Sequence, residues 1–220
     1  MHQLDTIAEL IHLSFETRTK ARDQALSQTR TLTRTCAHAI RAIHRDERKL
    51  ARQNLDEARQ LVAFLHNDLK DYPELYHAGY TQDALKEFAE ASIVYALMSG
   101  ETLPTPQELG LEESTYTNGL AEAVGELRRR CLDILRHGYS KEAEQLLNHM
   151  DDIYDVLITM DYPDAITGGL RRQTDIVRSL VERTRGDLTL SLRQQHLEEK
   201  LRNLEIRLDN IHINNSMKKA

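Results

Sequence analysis

The sequence predicts an all-α protein, on three observations. Its 220 residues include only 9 Gly, 4 Pro and 3 Phe with no Trp, against 29% charged side chains, which suits long helices and not a β-sandwich or a doubly wound sheet. Residues 4–50 contain neither Gly nor Pro. Near the end of the chain, Leu190, Leu197, Leu204 and Ile211 recur every seven residues, as do Leu201 and Leu208, the seam of a helix that packs on a partner helix.

Taken in order, Leu4, Ile7, Ile11 and later Leu32, Cys36, Ile40 and Ile43 fall at steps of three and four, so one long first helix is expected over 4–50. A second runs from Leu50 to Leu69 and stops at Asp71-Tyr72-Pro73. The third is expected over Gln82–Met98, with Thr81 as its N-cap and Ser99-Gly100 as its stop. Pro104, Pro106 and Gly110 make residues 101–113 a loop. The fourth helix spans Thr115–Arg136 with Gly138 as a left-handed C-cap, and Ser140 caps a fifth that reaches about Met160. Asp161-Tyr162-Pro163 leads into the sixth, which Arg185-Gly186-Asp187 is expected to interrupt. Gly168-Gly169 reads as relief of crowding at a helix crossing.

Two cysteines, Cys36 and Cys131, with no CxxC and no His/Cys cluster, exclude a disulfide scaffold and a cysteine-based zinc finger and suit a reducing cytoplasm. No apolar run approaches a membrane span, and the N-terminus lacks the shape of a signal peptide. The net charge of −6 hides a strong asymmetry. Residues 18–52 hold ten basic and three acidic side chains, whereas residues 61–160 hold seven basic and eighteen acidic ones. Such a division suits a protein that grips a polyanion with one element and holds divalent cations with another; a merely solvated basic face is the plainer alternative.

The acids in the middle are the candidates for chemistry. Glu87 and Glu90 lie three apart, and Glu122 and Glu126 four apart, each pair in apolar helical company. Carboxylates buried together repel and lose hydration, and a divalent metal is the natural compensation. With oxygen donors only and no Glu-x-x-His spacing, that metal is Mg²⁺ or Mn²⁺ rather than iron or zinc. On spacing alone, solvated or ion-paired acids remain the alternative. Asp151, Asp152 and Asp155 form a rival cluster that reads as an exposed acidic face, and one of Arg128, Arg129 and Arg130 is placed to face the pocket. There is no GxGxxG, no phosphate-binding P-loop and no Ser/His/Asp order to argue from.

The chain resembles the translin and translin-associated factor X family over about residues 18–186, more closely the factor X branch, in a prokaryotic-type single-chain version. Leu85-Lys86-Glu87-Phe88-Ala89-Glu90-Ala91 is similar to the pattern L-Q-E-Y-x-E-A, and the run from Tyr116 to Arg129 is similar to Y-L-x-G-x-x-D-x-x-G-E-L-x-R. Ile43-His44-Arg45, Gly138, Tyr154-Asp155, Pro163 and Arg185-Gly186 add to the likeness. Glu122 stands where the family has Asp, one methylene longer.

The resemblance implies a translin-like bundle of about six to seven helices with long first and sixth helices over 1–186; the heptad-patterned helix and short polar tail over 187–220 is longer and more zipper-like than the family leads one to expect, and its role is open. It implies an Mg²⁺-dependent endoribonuclease that binds and cleaves short or single-stranded RNA inside a homo-oligomeric shell, an octamer. Glu87, Glu90, Glu122 and Glu126 would be the metal-binding and catalytic residues. Arg30 and Arg45 match basic positions of the family, and Arg34 and Arg41 join them by helical proximity. Two rivals stand beside this reading: a translin-like protein that binds RNA or single-stranded DNA without cutting it, and a structural helical protein whose final heptads bind another protein.

Overall fold

Nine helices follow one another among the residues described: α1 (His2–His44), α2 (Arg48–Leu69), α3 (Pro73–Tyr76), α4 (Gly79–Ser99), α5 (Pro106–Leu109), α6 (Glu113–Leu135), α7 (Lys141–Leu157), α8 (Asp164–Thr167) and α9 (Leu170–Met217). The structure is a computed structural model that describes the backbone of residues 2–217 and the side chains of residues 3–208, and no strand occurs among them. Helices α3, α5 and α8 are single turns in the connections. Six long helices therefore build the bundle, and the first and sixth are the longest, at 43 and 48 residues.

Helix α1 ends at His44, short of the continuous helix expected to residue 50. Asp46 adopts φ 59°, and the amides of Asp46 and Glu47 donate back to the carbonyls of Ile43 and Ala42 at 3.0 and 2.9 Å. This Schellman-type stop needs no Gly because Asp tolerates the left-handed region. Arg130 of α6 fixes the turn, donating to the His44 carbonyl and pairing with Asp46 and with Glu142 at the start of α7. Helix α2 then returns antiparallel along α1: Arg18 pairs with Glu74, and Gln24 and Gln28 both donate to Asp68.

Helix α4 runs through the middle of the bundle, against α1, α2 and α6. It is apolar on nearly every side, and Phe88 at its centre is fully buried with Leu32, Ile43, Leu65, Leu127 and Met150 in one core. Its start corrects another expectation. Ala78, not Thr81, is the N-cap; Thr81 is buried in the first turn and donates its hydroxyl to the Leu75 carbonyl at 2.8 Å. Ser140 does cap α7, accepting from the Ala143 amide. Gly138 takes φ 106° two residues beyond Arg136, the right-handed C-cap of α6.

Two glycine expectations change as well. Gly168 and Gly169, at φ 62° and 86°, close α8 and turn the chain into α9; they are turn residues, not relief at a crossing. Helix α9 runs without interruption through Gly186, so the division at 186/187 falls inside one helix. A glycine there costs about 0.5–1 kcal/mol. Tertiary anchors on both sides offset it: Arg185 chelates Asp151, Arg128 of α6 bonds Thr184 and Asp187, and Leu188 is buried. No described helix is long and apolar enough to cross a membrane.

Candidate active site

Helix α4 carries Glu87 and Glu90 one turn apart, and α6 carries Glu122 and Glu126. One oxygen from each of Glu87, Glu90 and Glu122 lies within 4.8 Å of the other two, the only such group of metal-ligating side chains among the described residues. The approach of the two helices depends on Gly119. A Cβ built there would lie 2.6 Å from the Ala89 Cβ and 2.9 Å from the Lys86 carbonyl oxygen, so only a glycine lets the α6 backbone reach α4 at this level. Glu122 follows Gly119 by three residues and is thereby placed over the α4 acids.

Glu126 stands beside this trio and has partners of its own. Its Oε2 accepts from His44 Nε2 at 2.6 Å, with Arg129 Nη1 at 3.4 Å. His44 is the last residue of α1, its side chain almost fully buried, and its Nδ1 has no hydrogen-bond partner among the described residues. The hydrogen bond from His44, with the charges of His44 and Arg129, holds the Glu126 carboxyl below the ordinary glutamate value. Glu90 behaves in the opposite way. It is more deeply set than Glu87 or Glu126, and burial, reinforced by Glu87, Glu122 and Glu126, pushes its carboxyl up to about 8. Glu87 is also raised, by burial and then by Glu122.

Sequence reasoning missed Lys86 and the partner of His44. Lys86 Nζ sits 2.8 Å from Glu122 Oε1 and 3.7 Å from Asp83, and Gln173 of α9 reaches the same Glu122 oxygen at 3.4 Å. Burial works against its charge, but the hydrogen bond to Glu122 keeps Lys86 above the usual lysine value. One cation cannot neutralise three clustered carboxylates, and a hard divalent ion suits the all-oxygen set that remains. Behind the acids lies Cys36 of α1, fully buried, its thiol raised by burial and by Glu87 and Glu90.

The basic residues divide. Arg30 and Arg34 line a groove of about 460 Å³ between α1 and α4 whose wall includes Asp83 and Glu87. Arg41 continues the same helical face beyond it and Arg45 follows in the turn after α1; neither lines the groove. All four are exposed and none makes an ion pair or hydrogen bond among the described residues, unlike Arg128 and Arg130, which are held by Asp187 and by Asp46 and Glu142. Of the arginine run, only Arg129 reaches an acid of the site. In the rival cluster, Asp151 is taken by Arg185.

No protein-family model matches the chain. An uncharacterized protein of Methanocaldococcus jannaschii is 33% identical over 189 residues, covering 85% of this chain and 83% of its own length. Among solved structures, AfC3PO, alone and in complex with duplex RNA, superposes with a TM-score of 0.77 at 32% identity, over 83% of this chain and 95% of its own. Apo-NeC3PO, at 19% identity and a TM-score of 0.76, shares the fold.

Two predictions come from this geometry. Gly119→Ala will cost about 1–3 kcal/mol in denaturant unfolding, because the overpacked contact is backbone and Cβ. Gly125→Ala, on the same helix with nothing within 4 Å, will be neutral or stabilising by up to about 1 kcal/mol. The second concerns pH. Without metal, folded Glu90 keeps its proton between the ordinary 4.5 and about 8, where an unfolded glutamate has lost it. The corresponding stability is complete below that window and disappears as pH rises through it. Melting temperature in EDTA will therefore fall from pH 5 to 8, less so in Glu90→Gln, and Mn²⁺ will raise it more at pH 8 than at pH 6.

Proposed function

This chain belongs to the translin/C3PO family, and on that premise we propose that it binds RNA within a homo-oligomeric helical shell, an octamer, and cleaves it hydrolytically with Mg²⁺ or Mn²⁺. The observation that carries the reading is the convergence of Glu87, Glu90 and Glu122 beside a groove edged by two unpaired arginines. The crystallised complex of AfC3PO with duplex RNA supports the choice of ligand.

Arg30 and Arg34 grip backbone phosphates without surrendering an internal partner, and Arg41 and Arg45 extend the track. Glu87, Glu90 and Glu122 would hold the cation through oxygen alone. A divalent cation bound there would supply Lewis-acid polarisation of the phosphodiester and a more acidic water at neutral pH. Glu126, kept ionised by His44, accepts the proton of the attacking water, and His44 is its positioning residue. Lys86 pairs with Glu122 in the metal-free protein, and a cation held by Glu122 would compete with that ion pair.

A second reading, binding of RNA or single-stranded DNA without cleavage, is favoured by the same ion pair, since a Glu122 that stays on Lys86 removes one ligand. Incubation with labelled single-stranded RNA decides between them. Cleavage is expected with Mg²⁺ and not with EDTA, and Glu90→Gln and Glu126→Gln will each lose about 10²-fold or more in rate while still binding. Unchanged cleavage in both variants would overturn the mechanism, and RNA retained uncut in every reaction would establish the binding reading. Arg30→Ala with Arg34→Ala will weaken binding of all RNA sequences alike and lower the salt slope by about 2.

A further inference from the structure

The last part of α9 projects a row of leucines that nothing among the described residues covers. Leu190, Leu197, Leu201, Leu204 and Leu208 are 67%, 59%, 51%, 52% and 48% exposed. Their spacings of seven, four, three and four residues place all five on one seam, with Leu190, Leu197 and Leu204 at heptad position d and Leu201 and Leu208 at a. Ile211 continues the row in the sequence, outside the residues whose side chains are described.

The charges beside the seam are sorted by sign. The g positions are Arg193, Lys200 and Arg207, all basic, and of the e positions Ser191 is neutral and Glu198 and Glu205 are acidic, five charges in all. None of the five makes an ion pair among the described residues; Glu198 accepts a hydrogen bond from Gln194, itself at position a. In a parallel coiled coil the g residue of one helix meets the e residue five positions on in the other, so Arg193 faces Glu198 and Lys200 faces Glu205, each pair formed twice by symmetry. In an antiparallel pair g meets g and e meets e, which would set base against base and acid against acid.

We propose that the exposed face of α9 over residues 190–208 is an interface with a second copy of this chain, paired parallel and in register. Helix continuity through Gly186 gives the interface its rigidity, because the Arg128 and Arg185 anchors at the base of the extension fix its direction of exit. About three heptads form a marginal coiled coil alone, so the pairing gains from any contact that holds two copies together elsewhere. It is independent of RNA and metal and stands apart from the nuclease reading.

Cysteine cross-linking of the full-length chain tests it, since the native Cys36 and Cys131 are buried. In oxidising glutathione buffer, Leu190→Cys and Leu208→Cys will each give a disulfide-linked dimer, whereas Glu199→Cys, on the outer face of the helix, will not. Adding Arg193→Glu, Lys200→Glu and Arg207→Glu will abolish the cross-link at both positions. Three outcomes overturn the proposal: no cross-link at either leucine position, cross-linking at Glu199→Cys as strong as at the leucines, or a Leu190–Leu208 mixed cross-link without self cross-links, which is the antiparallel result. Sedimentation of the unaltered chain separates this from assembly in general, because an oligomer whose α9 positions fail to cross-link overturns the proposal and leaves the oligomer standing.

Discussion

Three carboxylates held within 4.8 Å of one another, with one lysine among them, is the constraint around which the rest of the bundle is arranged. Two helix backbones have to approach at one point to create it, and Gly119 against Ala89 is that point. Everything nearby moderates the resulting repulsion. Glu90 keeps its proton up to about pH 8, Lys86 neutralises Glu122, and His44 draws Glu126 aside into a separate hydrogen bond. Removing like charge from water in one place is costly, and native folds retain such arrangements when a ligand supplies the missing countercharge.

Helix α1 couples this acidic centre to the basic track. One face packs Leu32, Cys36, Ala39 and Ile43 into the core; the other presents Arg30, Arg34 and Arg41, with Arg45 in the turn just beyond. Its last residue, His44, reaches Glu126, and the turn that follows is clamped by Arg130. A single rigid element thus sets the distance between the cationic track and the acids. The arginines that stabilise the fold are those already paired, Arg128 and Arg130, and the arginines of the track are those left unpaired.

Much of this was legible in the sequence. The all-α class, the presence of a long first and a long sixth helix and the pairing of acids at helical spacing follow from composition and periodicity, because these features repeat along many residues. Other features turn on single tertiary contacts and were not legible. The stop after His44 uses Asp46 in a conformation usually left to glycine, and α9 ignores Gly186 because Asp151, Thr184 and Asp187 hold it on both sides. Thr81 looked like a cap because it precedes the apolar run, yet its hydroxyl serves the previous turn. Lys86 stood beside Glu87 in the motif, but nothing in one dimension says that its ammonium reaches Glu122 on another helix. The leucines of α9 announced a seam, and only the structure shows that this chain leaves it uncovered.

Diffraction from crystals soaked in Mn²⁺, with data collected for the anomalous signal of manganese, tests whether Glu87, Glu90 and Glu122 form one divalent-metal site. One strong peak among the three carboxylates is expected, with Lys86 displaced from Glu122. A site without manganese and with the Lys86–Glu122 pair intact, in crystals grown above pH 8, would contradict it.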